Sequence, residues 1–307
     1  MLAKTALLEL KQVGYIYSSG TVFSQEALRN IDLVIHEGEF IVLAGPSGSG
    51  KSTLAQILCG LLEPTSGEYT YGGAREYVRE LPNAGVSNAG ITEDFAGTEI
   101  GLVFQFPEAQ IFEETVEKDV GFGPKNLGLS EETIKKRTEE ALESVGLQYD
   151  KISGRSPFGL SGGEKRLVAI AGILAMKPRI LILDEPTIGL DSAGREHVMG
   201  VIGNLNKAGT TIILITHDMN DVAEHAQRLI VLDNGEVAIA GAVSDIFSDE
   251  SSIYRLEQLG LGIPVSVKVV LGLREKGLDI KLGAVRMDDA VARIKDAMGT
   301  ILDKDRS

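Results

Sequence analysis

Cysteine is nearly missing from this sequence. Cys59 is the single one in 307 residues, which rules out an intrachain disulfide. Its place in the apolar run LAQILCGLL marks it as a buried structural thiol rather than a nucleophile or metal ligand. Long apolar runs are missing too: no stretch approaches the roughly 18 residues that span a bilayer. The start, MLAKTALLELKQVG, lacks the apolar block and cleavage site of a signal peptide. The expectation is a cytoplasmic protein whose membrane contact, if any, runs through a protein partner. Basic residues are scarce beside acidic ones, 30 Lys and Arg against 44 Asp and Glu, for a net charge of −14. That balance argues against a broad nucleic-acid-binding face, so no nucleic-acid partner is expected. What is present, 43% hydrophobic residues, suits one large α/β domain with a smaller appendage.

Along residues 6–44 the text reads as strands and turns: ALLELKQVGYIY, a polar SSGTVFSQE, ALRNIDLVI, EGE and FIVLA. The pattern breaks at Gly45. After a glycine-rich loop, LAQILCGLLEP has helical spacing and stops at Pro64, and TSGEYTYGG resembles a turn and short strand. Residues 72–98, rich in Gly, Asn and acids, predict a surface excursion. SEETIKKRTEEALESV carries a capping signal, Ser130 with Thr133, and predicts a helix. The apolar runs at residues 180–183 and 211–215 each follow a helical stretch, the rhythm of a mainly parallel sheet. RLIVL, DNG and EVAIAG predict a closing hairpin on an Asn234-Gly235 turn. Beyond about residue 243 the chain reads as mixed amphipathic helices, with Leu282, Val285, Val291, Ile294, Met298 and Ile301 on one apolar stripe.

The chemistry begins at Gly45-Pro46-Ser47-Gly48-Ser49-Gly50-Lys51-Ser52, which fits GxxxxGK[ST] between a strand and a helix. Glycines let backbone N–H groups close round phosphates, and a helix N-terminus favours their charge. Lys51 adds a point charge for the β- and γ-phosphates, Ser52 offers its hydroxyl to Mg²⁺, and Thr53 continues the ATP-binding set. Next, ILILDE delivers two acids at the carboxyl end of an apolar strand. Asp184 is placed to hold Mg²⁺ through water, and Glu185 to polarise the water that attacks the γ-phosphate in line. A DE pair alone is often just a solvated strand end, and the phosphate loop upstream changes that weighting.

These elements leave kinases, GTPases, helicases and transport ATPases open. Leu160-Ser161-Gly162-Gly163-Glu164 resembles the LSGGQ signature of ATP-binding cassette (ABC) ATPases, with Glu164 in place of Gln, and lies upstream of the DE strand as in that class. The resemblance implies a head-to-tail pair in which Ser161, Gly162 and Gly163 of one subunit close over ATP held by the other. Glu164 adds a negative charge near that helix. By the same resemblance Gln105 matches the Q-loop residue that touches Mg²⁺ and the attacking water. Asp191, in Gly189-Leu190-Asp191, matches the D-loop, and His217 matches the switch histidine on the γ-phosphate. Tyr17 matches the aromatic that stacks on adenine, with Tyr15 the competing choice. The implied fold is an α/β P-loop NTPase of the ABC ATPase kind: a mainly parallel RecA-like sheet, an N-terminal antiparallel β subdomain and a helical signature subdomain. The implied organisation is a nucleotide-binding domain at 1–242, its helical part at about 106–165, and a C-terminal accessory region at 243–307 that is a candidate for dimerisation.

LVFQFPEAQIFEETV, after the Q-loop position, is similar to the energy-coupling factor (ECF) importers, as are VGFGP, SPF before the signature and VAIAG after it. The Gly20-Thr21-Val22-Phe23 insertion and the tail IPVSVKVVLGLREKGLDI resemble the second ATPase type of that family. The family implies a heterodimer of two related ATPases, a transmembrane coupling protein, and an exchangeable membrane protein that captures a vitamin or metal ion. It places the chain at the cytoplasmic face of the membrane, with residues 106–116 as the docking surface and Glu108, Glu113 and Glu114 receiving basic groups. Rival readings are another ABC importer or exporter ATPase, a soluble ABC protein on nucleic acid or ribosome, and a P-loop kinase. Neither a coiled-coil insertion nor a tandem cassette supports the soluble reading, and a kinase would not explain LSGGE or His217.

Overall fold

Alternation in ALLELKQVGYIY and QEALRNIDLVIH builds the first two strands, β1 (Ala6–Tyr17) and β2 (Gln25–His36), paired antiparallel. Leu8, Leu10 and Val13 of β1 face Ile35, Leu33 and Ile31 of β2, all buried. The register slips between Leu10 and Val13, where Gln12 adopts φ 49°. This bulge frees the Gln12 amide, which donates to Asp32 Oδ1 at 2.9 Å. β4 (Ser66–Gly72) pairs with the other edge of β1, and β5 (Glu76–Glu80) with β4, both antiparallel. Gly67, at φ +89°, passes the bulge so closely that any Cβ would run into the Gln12 and Lys11 carbonyls.

The computed structural model describes residues 6–72, 76–80 and 99–304. The excursion expected at 72–98 is in part a strand, β5. Its remaining residues, 73–75 and 81–98, lie outside the described ones. The chain forms two compact units, one from Met1–Glu39 with Ser52–Ile215, the other from Phe40–Lys51 with Thr216–Ser307.

In the first unit, β6 (Ile100–Val103), β7 (Ile180–Asp184) and β8 (Thr211–Ile215) run parallel, in the order β8-β7-β6. Their near-continuous Ile, Leu and Val reflect burial on both faces. Between β6 and β7 come α2 (Val116–Asn126), α3 (Glu131–Ser144), α4 (Tyr149–Ile152) and α5 (Gly162–Leu174). α6 (Ser192–Lys207) links β7 to β8. Polar caps set the starts: the side chains of Thr115, Ser130, Ser161 and Asp191 accept backbone N–H groups of α2, α3, α5 and α6. Ser130 accepts from Thr133 N, as expected from the sequence.

The second unit contains β3 (Phe40–Ala44), parallel to β9 (Arg228–Asp233), which turns back into β10 (Glu236–Ala242). The turn is the expected Asn234-Gly235, at φ 48° and 80°, the primed geometry that matches strand twist. α7 (Met219–His225) precedes β9, and α8 (Val243–Ile246), α9 (Glu250–Gln258), α10 (Val265–Glu275) and α11 (Met287–Lys304) follow β10. Val270, Ile280, Ala284 and Ala290 form a separate small core, with Leu282, Ile294 and Ala297 packed on it. This corrects the expected stripe. Leu282 and Val285 precede α11, and the left-handed Gly283 (φ +87°) between them interrupts any helical phase. The packed face is therefore Ala290, Ile294 and Ala297, while Val291 and Met298 point outward. The Ile301 side chain lies outside the described residues. Among the described residues, no helix is long and apolar enough to cross a membrane.

Candidate nucleotide site

Five buried residues, FIVLA, carry β3 to Gly45, where the chain turns into the phosphate loop. Gly45 (φ 145°), Gly48 (φ 79°) and Gly50 (φ 102°) take backbone conformations that other residues rarely adopt. At Gly45 space forbids a side chain as well, since a Cβ would overlap Leu232 O and lie 2.7 Å from Ser49 Oγ. Gly48 faces open space. Lys51 folds back over the loop, its Nζ donating to the Gly45 and Pro46 carbonyls, each at 2.8 Å, and approaching Ser49 Oγ at 3.4 Å. Ser49 is buried; its amide donates to Pro46 O at 3.2 Å, and its carbonyl accepts from Gly235 N, also at 3.2 Å, in the turn between β9 and β10. Ser47 is exposed at the rim.

The loop ends in α1 (Lys51–Leu58). Its second residue, Ser52, donates from Oγ to Asp184 Oδ2 at 3.1 Å, across 132 positions of sequence. The third, Thr53, is buried and shares a 3.1 Å hydrogen bond with the Tyr17 hydroxyl. The Tyr17 ring, 38% exposed, meets Tyr15 edge to face at 4.8 Å. Of the two tyrosines, Tyr17 is thus the one tied to the helix that ends the loop.

Glu185 follows β7 at φ +48°, a left-handed conformation uncommon for a glutamate. Its amide donates to Ile215 O at 3.0 Å, and its carbonyl accepts from Ile188 N, closing a tight turn. Strain of this kind persists only where surroundings over-determine it, and it gathers at functional sites. Gln105 emerges two residues beyond Val103, which faces Leu183 in the parallel register. β6 and β7 therefore deliver Gln105 and Asp184 at the same edge. His217, two residues past the end of β8, is exposed.

Ser161 caps α5 in a full capping box. Its Oγ accepts from Glu164 N at 3.3 Å, and Glu164 Oε2 accepts from Ser161 N at 2.9 Å and from Ser161 Oγ at 2.8 Å. These bonds, with Arg155 Nη1 at 3.5 Å, hold the Glu164 carboxyl below the usual carboxylate range. Glu164, singled out in the sequence only as an added charge, is a structural acceptor at this helix start. The S-x-x-E spacing was the signal for it. Gly162 and Gly163 have nothing within 4 Å of where a Cβ would stand, so packing within the chain does not require their being glycine. Asp191 caps α6, accepting from Gly194 N at 2.8 Å. No motif pointed to Arg166, which is buried in α5 and donates to the Pro186 and Ile188 carbonyls.

Residues 28–188 match the ABC transporter family. The energy-coupling factor transporter ATP-binding protein EcfA2 of Clostridium perfringens is 44% identical over 274 residues, 89% of this chain and 92% of that protein. EcfA2 of Symbiobacterium thermophilum is 43% identical over 286 residues, 93% of this chain and 94% of its own. The chain belongs to the ABC transporter family, in its energy-coupling factor branch. Among solved ABC proteins, cbiO1 of Clostridium perfringens, described as part of the ABC transporter complex cbiONQ, superposes with a TM-score of 0.67 at 35% identity. That match covers 82% of this chain and 95% of cbiO1. A dimeric ATP-binding cassette in a post-hydrolysis state with ADP and Pi gives 0.65 at 33% identity, over 77% of this chain and 99% of that one. Like other ABC ATPases, this chain binds and hydrolyses ATP.

Proposed function

We propose that this chain is one of two ATPase subunits on the cytoplasmic face of an ECF-type importer of a vitamin or transition-metal ion. ATP closes the two subunits head to tail, and that closure moves a transmembrane coupling protein. The observation that carries the ATPase part of the reading is the Ser52–Asp184 hydrogen bond, which joins the helix that ends the phosphate loop to β7, the strand that Glu185 follows.

In this reading backbone N–H groups of residues 47–51 and the Lys51 ammonium hold the β- and γ-phosphates, and the Tyr17 ring stacks on adenine. Gly48, Gly162 and Gly163 are compatible with it, since nothing lies within 4 Å of where a Cβ would stand at each. Lys51 then exchanges its bonds to the Gly45 and Pro46 carbonyls for bonds to phosphate oxygens. The Ser52 hydroxyl and the Gln105 side-chain oxygen would hold Mg²⁺, with the Asp184 carboxylate reaching it through water, as suits an ion that takes few protein oxygens and fills its shell with water and phosphate. Bound there, Mg²⁺ would neutralise charge on the phosphates. Glu185 orients a water and takes up its proton as the water oxygen bonds to the γ-phosphorus and the bond to the β-phosphate oxygen breaks. His217 donates to the γ-phosphate, while Asp191 and the Ser161–Gly163 segment act across the subunit interface.

The nucleotide-binding domain is assigned to residues 1–242, its helical part to about 106–165, and the accessory region to 243–307. The coupling protein docks on residues 106–116, where Phe106 and Phe112 are more than half exposed. Phe112 packs edge to face on Phe122 at 4.8 Å, which makes the patch firm. Glu114 is already paired with Lys118 at 2.8 Å, so Glu113 is the better acceptor there for a basic group of the partner.

The test is to tag the chain in its host, solubilise the membranes in mild detergent and identify the proteins that co-purify in stoichiometric amount. A second related ATPase with a small integral coupling protein is expected, together with a capture protein that names the substrate. Recovery with a pair of large permeases would move the chain to another transporter type. Soluble nucleic-acid-bound partners would overturn the transport reading.

A further inference from the structure

Arg166 lies within the helix that carries the signature, yet its guanidinium is spent on a different element. The side chain is 3% exposed, and its Nη1 donates to Pro186 O at 2.8 Å and to Ile188 O at 2.7 Å. Those carbonyls belong to the turn that begins at Glu185, closed by Ile188 N donating to Glu185 O at 3.2 Å. Glu185 itself sits at φ +48°. A left-handed glutamate relaxes unless its neighbours hold it, and the two residues gripped by Arg166 lie one and three positions beyond it. Charge-assisted bonds to backbone carbonyls are among the stronger hydrogen bonds a buried site offers.

We propose that Arg166 is a positioning residue for ATP hydrolysis: it clamps the turn at residues 185–188 so that the Glu185 carboxylate keeps its place. It also makes that place depend on where α5 lies. The Ser161 cap and Arg166 are five residues apart on one helix, so a shift of the signature end of α5 moves the donor that holds the turn. Contact of the signature with a nucleotide on the facing subunit is thereby felt at Glu185 of the same chain. The inference rests on the hydrolytic role assigned to Glu185 above.

The experiment measures kcat and KM for ATP in the assembled complex for wild type, Arg166→Met, Arg166→Lys, Glu185→Gln and the Arg166→Met/Glu185→Gln double variant. Arg166→Met is expected to lower kcat by up to about 100-fold, the scale of an ångström-sized misplacement, with KM unchanged. Arg166→Lys reaches one carbonyl in place of two and restores part of the rate. The double variant turns over no more slowly than Glu185→Gln alone, because Arg166 acts through Glu185. A further loss in the double variant, a rise in KM at unchanged kcat, or full activity of Arg166→Met each overturns the proposal. If Arg166→Met does not fold, Arg166→Lys decides: a lowered kcat at wild-type KM supports the clamp, and a wild-type rate removes it. Wild-type turnover by Glu185→Gln would instead sink the role of Glu185. Slow Glu185→Gln beside fully active Arg166→Met sinks this inference alone.

Discussion

Replacing Gly45 with alanine separates two demands that the phosphate loop makes on glycine, backbone conformation and empty space. At φ 145° a side-chain-bearing residue is strained, by about 1–3 kcal/mol. The new methyl would also overlap Leu232 O, a backbone atom of β9 that cannot rotate away, and press on Ser49 Oγ. Crowding of that kind adds about 1–3 kcal/mol. Alanine lowers the entropy of the unfolded chain, which returns about 0.4–1 kcal/mol. The net expectation is a destabilisation of about 1–6 kcal/mol. Gly48→Ala is the control. It too carries a left-handed φ, at about 1–2 kcal/mol, but its Cβ meets nothing within 4 Å, so the crowding is absent. Urea unfolding of the purified chain, followed by far-ultraviolet circular dichroism, should give a lower midpoint for Gly45→Ala than for Gly48→Ala. ATP should raise the Gly45→Ala midpoint less than it raises that of wild type. Equal midpoints for the two variants, or the larger loss at Gly48, would refute the steric reasoning.

Tyr17→Phe removes the bond to Thr53 but keeps the ring, so ATP affinity should change little; Tyr17→Ala should weaken ATP by about 1–3 kcal/mol, the usual worth of a base stack, in a titration calorimeter. At Glu164, Gln retains an acceptor for the Ser161 amide and should shift the thermal midpoint little, while Ala loses the box at about 0.5–2 kcal/mol. The sign with pH follows from the depressed Glu164 carboxyl. Its stabilisation is present above the unfolded value near about pH 4.3 and is lost as pH falls through the lower folded value, so the gap between wild type and Glu164→Gln should close in acid. Burial pushes the Cys59 thiol up, so a thiol-specific alkylating reagent at pH 8 should leave the native chain untouched and modify one site per chain in urea.

Local pattern accounts for most of what the sequence disclosed. The β1–β2 alternation, the capped α3, the Asn234-Gly235 hairpin and the phosphate loop between strand and helix each rest on neighbours within a few positions, so their signals survive in one dimension. The Ser130 cap was legible for that reason. The Glu164 box was equally local, but its spacing was overshadowed by the expected glutamine at that position. The contacts that complete the site are long-range. Nothing in the text near Tyr17 says that its hydroxyl meets Thr53, 36 positions on, and nothing near Arg166 says that its carbonyl partners lie beyond Glu185. The C-terminal stripe failed for a physical reason: Gly283 breaks the helical phase that the period from Leu282 onward assumed.

The bond from Gly235 to Ser49 changes what counts as the phosphate loop. Eight consecutive residues make the motif, but Ser49 O is satisfied by the β9–β10 turn, and Leu232 O lines the floor under Gly45. The loop is therefore not a transplantable peptide, and its geometry is finished only when a hairpin made much later in synthesis arrives. A ribosome-bound chain that ends before residue 228 would carry the complete motif without its floor. By linkage, nucleotide binding to the finished loop should slow hydrogen exchange of the Gly235 amide, far along the chain from any residue of the motif.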